Sequence, residues 1–162
     1  MNDPSVNDLS GARLGDRVQI ADLLAVYCEK LDDYDIDSVA EAFTEDCVFD
    51  PGPGNGGPRT GRDAIFPAQK VRMGIYRRTQ HHLGQSRIRF DGEDAANGLT
   101  SVIAWHQRWD GSVGTARLRY DDRFVRRSGL WLIAERRLIE LGVEGFAEGT
   151  WNPSGRNVPH GR

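Results

Sequence analysis

Apolar side chains recur along this chain with two different periods, and the change from one to the other comes at Tyr76. Over residues 16–31, Ile20, Leu23, Leu24, Tyr27 and Leu31 stand three and four positions apart, the spacing that lines one face of a helix. Asp35 or Asp37 can cap a second, shorter helix whose buried side is Val39, Ala42 and Phe43. Residues 47–50 read as a short strand. The run PGPGNGGPRTG over 51–61 is too rich in proline and glycine for a regular element and predicts a loop. A third helix is expected over 62–73, with Pro67 in its first turn or at a bend. Past Tyr76 the pattern alternates, and Asp91-Gly92, Asp110-Gly111 and Ser128-Gly129 divide it into strands over 80–90, 95–109, 113–127 and 130–141. Helices first and an antiparallel meander afterwards predict an α+β fold, with an apolar cavity between the layers.

Composition narrows the function. At 162 residues, 38% apolar and 28% charged, the chain suits one domain with a modest core. The pattern divides it into an N-terminal tail (1–13), a domain (14–141) and a Gly-rich C-terminal tail (142–162). A net charge of −3 offers no electrostatic footprint for nucleic acid or an anionic membrane. No stretch approaches the roughly 20 apolar residues of a membrane helix. The first ten residues lack the basic start and apolar centre of a signal peptide, so a cytoplasmic location is expected. Cys28 and Cys47, without CxxC spacing, are expected as buried thiols. No HxH, HExxH, GxSxG or GxxxxGK[ST] occurs, so neither a metal nor a phosphate-bearing cofactor is expected.

The candidate chemistry lies in a few polar residues near apolar faces. Continuing the first helix places Asp32 about 110° from the apolar stripe and Asp33 about 150°, which favours Asp32. The competing reading makes Asp32, Asp33, Asp35 and Asp37 a solvated connection between helices. His81 and His82 are adjacent on a strand, so at most one enters the cavity. His106 shares a face with Ala104 and Val102. Tyr27 belongs to the helix stripe, where it can equally be core packing. The arginine-rich stretch 117–137, interrupted by Asp121, Asp122 and Glu135, reads as the outer face of a sheet or an oligomer interface.

The run YCEKLDDYDIDSVAEAFTEDCVF resembles the N-terminal helices and first strand of SnoaL-like proteins, TQHHLGQSRIRF their histidine-bearing strand, and GLWLIAERRL their closing strand. The resemblance covers residues 16–141. It implies the nuclear-transport-factor-like cone, a strongly curved, mixed, mainly antiparallel sheet forming a cone-shaped barrel around three N-terminal helices. Within the group, TQHHLG and WHQRW are similar to two histidine stretches of scytalone dehydratase, which implies a site of Asp32, His81 and His106. Bile acid 7α-dehydratase has a tyrosine five residues before its aspartate, matching Tyr27 and Asp32. The pattern departs at Leu31 and Pro51, where scytalone dehydratase has tyrosines, at Tyr120, near one of its asparagines, and at Gln85, where many relatives complete HxxxN. Scytalone itself is therefore not implied as the substrate.

What the resemblance does imply is a cofactor-independent dehydratase acting on a small hydrophobic, carbonyl-containing or polycyclic substrate. Asp32 would orient His81 as the base, Tyr27 or else Tyr120 would stabilise the oxyanion, and His106 would protonate the departing hydroxyl. Tyr120, Leu31, Phe49, Phe146 and Trp151 would contact the substrate. Alternatives are a polyketide or steroid-type cyclase or isomerase using the same pair, and a noncatalytic ligand-binding or accessory subunit. A homo-oligomer, trimer or dimer, is expected through Trp105, Trp109 or Trp131. The tail from Gly142 is either disordered or a lid, and in the lid reading removing residues 146–162 would impair binding and turnover while barely changing thermal stability.

Overall fold

A computed structural model describes residues 13–155, so most of the expected N-terminal tail and the last seven residues lie outside it. The predicted helical stripe becomes α1 (Leu14–Asp32), which buries Ile20, Leu24, Tyr27, Cys28 and Leu31. The chain reverses at Tyr34, whose φ of 60° is unusual for an aromatic residue. Its hydroxyl donates to the Lys70 carbonyl at 2.9 Å, tying this corner to the third helix. Of the two possible caps, Asp35 serves α2 (Ile36–Glu41) by accepting the Ser38 amide.

β1 (Phe43–Asp50) starts earlier than its pattern suggests, because Phe43 pairs in parallel with Ile133 far along the chain. The 51–61 loop is not wholly irregular. Pro53 opens a 3₁₀ turn (Pro53–Asn55) that a left-handed Gly56 ends, and β2 (Arg59–Thr60) pairs with β1. In α3 (Arg62–Met73), Pro67 sits in the second turn and not the first, on the exposed side, while Ile65, Phe66, Gln69 and Met73 are buried.

β3 (Tyr76–Phe90), β4 (Ala95–Arg108), β5 (Val113–Arg127) and β6 (Leu130–Glu144) form the antiparallel meander, turning at the three predicted sites. β6 runs on to Glu144, and the tail then returns as β7 (Asn152–Pro153), parallel to β6. The sheet order is β2-β1-β6-β5-β4-β3, with β7 beside β6. α1 packs against both β3 and β6, three strands apart, so the sheet curves around it without closing. The fold is the expected mixed, mainly antiparallel cone.

Alternation on β5 turns Gly114, Ala116, Leu118, Tyr120, Asp122 and Phe124 inward. A buried carboxylate needs a partner, and Arg136 supplies it with bonds of 2.7 and 2.8 Å. Arg136, 1% exposed, overturns the outer-face reading of the arginine-rich stretch at its most consequential position. The reason is a register shift: Arg123 pairs with Glu135 and Phe124 with Ile133, so Ala134 is skipped and the inward phase of β6 moves by one residue. Burial works against the Arg136 charge, but the Asp122 carboxylate outweighs it. Breaking such a pair costs about 3–5 kcal/mol, because one charge is left buried alone.

The expected association surface also needs correction. Trp131 is 4% exposed and donates its ring N–H to Asp16 at 2.9 Å, so it faces the interior. Trp109, 69% exposed, stays outside. Cys28 and Cys47 are buried free thiols, and burial pushes Cys28 up to about 12. Among the described residues no helix is long and apolar enough to cross a membrane.

Candidate active site

Asp32 ends α1 where the helix meets β3, and β3 surrounds its carboxylate with donors. One oxygen lies 2.6 Å from His81 Nδ1 and accepts the Thr79 hydroxyl at 2.8 Å, and the other accepts the His81 backbone N–H at 2.8 Å. Burial raises the Asp32 pKa, but the His81 ring, its charge and backbone, and then Thr79, outweigh burial and hold the carboxyl below its usual range. An ionised carboxylate only accepts, so His81 Nδ1 carries the proton and Nε2 is the nitrogen left to act. The two side chains are 22% and 6% exposed. His82, one residue on, points to solvent as alternation requires.

His106 comes from the neighbouring strand, 5% exposed, with its ring centre 5.4 Å from that of His81. Burial first, and the nearby His81 second, push its pKa down to about 3. It is therefore neutral at ordinary pH, and its Nδ1 has no protein partner among the described residues. Burial thus weighs against the expected role of His106 as the acid for the departing hydroxyl and suits it to hydrogen bonding. The consequence for stability has a definite sign. Between about pH 3 and 6.5 the unfolded chain takes up a proton at this residue that the native state does not, so stability rises with pH across that window. His106→Gln is expected to flatten the stability profile between about pH 4.5 and 6, in urea melts at each pH. An unchanged slope would count against a buried neutral imidazole.

Of the pair, His81 and not Asp32 lines a cavity of about 40 Å³, which it shares with the sequence candidates Tyr27, Leu31, Phe49, His106, Tyr120 and Trp151. Tyr27 and Tyr120 meet edge to face at 5.9 Å, and the Arg136 guanidinium lies 4.2 and 4.0 Å from their ring centres. Burial above all raises both phenols, so both keep the proton that a donor needs. Phe146 does not line the cavity; half-buried, it backs the wall against His106 and Trp151 at 5.4 and 5.2 Å.

Residues 12–137 match the SnoaL-like domain. The chain belongs to the SnoaL-like family. No curated protein matches it. Among solved structures it is similar to a candidate scytalone dehydratase of Novosphingobium aromaticivorans, at 27% identity over 93% of this chain and 100% of that one, with a TM-score of 0.85. A candidate aromatic ring hydroxylase of the same organism has 27% identity over 85% and 97%, with a TM-score of 0.76. The fold is also that of a hexachlorocyclohexane dehydrochlorinase of Novosphingobium barchaimii, at 19% identity over 84% and 93%, with a TM-score of 0.72.

This SnoaL-like domain also uses residues that pattern reading missed. Gln69, Arg72 and Met73 of α3, Tyr76 at the start of β3 and Asn55 of the loop all line the cavity. Gln69, Arg72 and Met73 follow Ile65 and Phe66 at helical spacing, so their face was legible in principle. Asn55 had no such signal. It donates to the Pro51 and Thr150 carbonyls at 3.0 and 3.2 Å, joining loop to tail. Among the described residues no three His, Cys, Asp or Glu side chains are grouped as metal ligands would be.

Proposed function

We propose that this SnoaL-like protein is a cofactor-independent lyase of the dehydratase kind, acting on a small, largely apolar substrate with a carbonyl beside the reacting carbon. The observation that supports it is the Asp32 carboxylate, held by three donors from β3 and only 2.6 Å from the ring of a cavity-lining histidine. Asp32 fixes the tautomer and steadies the imidazolium, and His81 Nε2 takes the proton from carbon. The electrons of that C–H bond move to the carbonyl, and a Tyr27 or Tyr120 hydroxyl donates to the forming oxyanion under the field of Arg136. The enolate then expels the β-hydroxyl as the double bond forms. His81 returns its proton to that oxygen, so water leaves and the base is restored. Neutral His106 steers the leaving group through a hydrogen bond.

A cyclase or isomerase would use the same first step and differ only in where the enolate electrons go. An accessory subunit needs no oriented base, so the half-buried, hydrogen-bonded pair favours an enzyme. The test is incubation with aryl β-hydroxy ketones in D₂O containing a metal chelator. Protein-dependent exchange of hydrogen beside the carbonyl, with formation of the conjugated enone, is expected. Turnover that appears only on adding a metal or a nicotinamide cofactor would overturn the reading.

A further inference from the structure

The mechanism leaves Arg72 without a task. Arg72 lines the inner cavity, as His81 does, and also a second cavity of about 280 Å³, which shares Phe49, Asn55, Gln69 and Arg72 with the first. Arg59 lines that outer chamber as well. Neither chamber has an acidic lining residue. Neither arginine forms an ion pair among the described residues, a state they share with Arg17, Arg62 and Arg108, whose partners are neutral oxygens. Arg72 has one neutral partner, the Oε1 of buried Gln69, which orients the fork without neutralising it.

Two like charges facing one half-enclosed space are unfavourable on their own. Burial first, and Arg59 with it, pull Arg72 below its usual range, against the opposing effect of Tyr27, Tyr76 and Tyr120. An anion entering the chamber would remove both penalties. A planar guanidinium matches a carboxylate through two parallel hydrogen bonds. We infer that the outer chamber is a carboxylate site, and that the substrate is an amphipathic carboxylic acid whose charged end pairs with Arg72 and Arg59 while its apolar body reaches His81. This deepens the lyase reading by naming a substrate class, and it depends on that reading only for what happens at the far end.

Binding of probe acids tests the site without turnover. The probes are benzoate, cinnamate and naphthoate, each against its neutral amide, measured calorimetrically at fixed ionic strength on the full chain. At least one acid is expected to bind about tenfold or more tightly than its amide. Arg72→Gln should lower affinity for that acid by about 10- to 100-fold and for the amide by less than about threefold, with Arg72→Lys between. His81→Ala should keep the acid preference, which separates this inference from the catalytic one. Acids that bind no better than amides, a preference that survives in folded Arg72→Gln, or failure of all three acids to bind would each overturn it. Should Arg72→Gln not fold, Arg59→Gln takes its place, with a smaller loss of the same preference expected and an unchanged preference overturning the site.

Discussion

Replacing His81 by alanine is expected to lower kcat by about three orders of magnitude or more, the scale of losing a general base that also returns the proton. His82→Ala should stay within about twofold, because that side chain points to solvent. Asp32→Asn is the more discriminating change. An amide can still sit between Thr79 and His81, but it cannot accept from all three donors, and its NH₂ can face Nδ1 and force the wrong tautomer. The expected loss is again about a thousandfold in kcat, with a smaller change in KM, and circular dichroism should show an intact fold. Turnover within tenfold of the parent in His81→Ala would remove the proposed mechanism.

The second large effect concerns the tail. Its described part is built into the domain: Trp151 is 7% exposed and belongs to the core cluster. The Glu140 carboxylate accepts the Gly149 and Trp151 amides at 3.1 Å each, and Asn152 donates to the Leu138 carbonyl at 3.0 Å. A side chain on Gly52 would place its first carbon 2.4 Å from the Trp151 backbone, and one on Gly54 2.7 Å from Thr150, so loop and tail meet backbone to backbone. Trp151→Ala is therefore expected to cost about 3–5 kcal/mol of unfolding free energy, as for other large aromatic truncations in a core. Removing residues 146–162 should lower the melting temperature as well as weaken substrate binding. This replaces the expectation that stability would barely change, and calorimetry on both variants decides it. An unchanged melting temperature would mean that the tail does not pack on the core.

What could be read in advance follows from where periodicity exists. The helix stripe through Leu31 and the strand alternation past Tyr76 carried α1, the meander and the facing of His81 against His82. Asp32 was legible only as a marginal choice over Asp33, because helix geometry separates them by a small angle and the donors of β3 that decide the matter are distant in sequence. Arg136 was hidden by the shifted phase of β6, although its partner Asp122 shared the parity of Tyr120 and Phe124 and so announced a buried carboxylate. Asn55 and Trp151 lie in glycine-rich segments with no period, and only the meeting of two loops gives them a place.

Ala134 affects this pocket without touching it. Like Leu141 further along, it has no partner on β5 and adds one residue to β6 against that strand, and such a surplus bends the strand and tightens its twist. Trp131 and Ile133 point inward before it, and Arg136 and Leu138 after it. Taking Ala134 out would restore strict alternation with those same four side chains still inward, and only the bend would go. It works as a shim in the curved sheet, set in the strand whose Arg136 lies against the Tyr27 and Tyr120 rings. Resizing this chamber for larger or smaller ligands can therefore begin outside it, by adding or removing shims, with every side chain that faces the ligand left as it is.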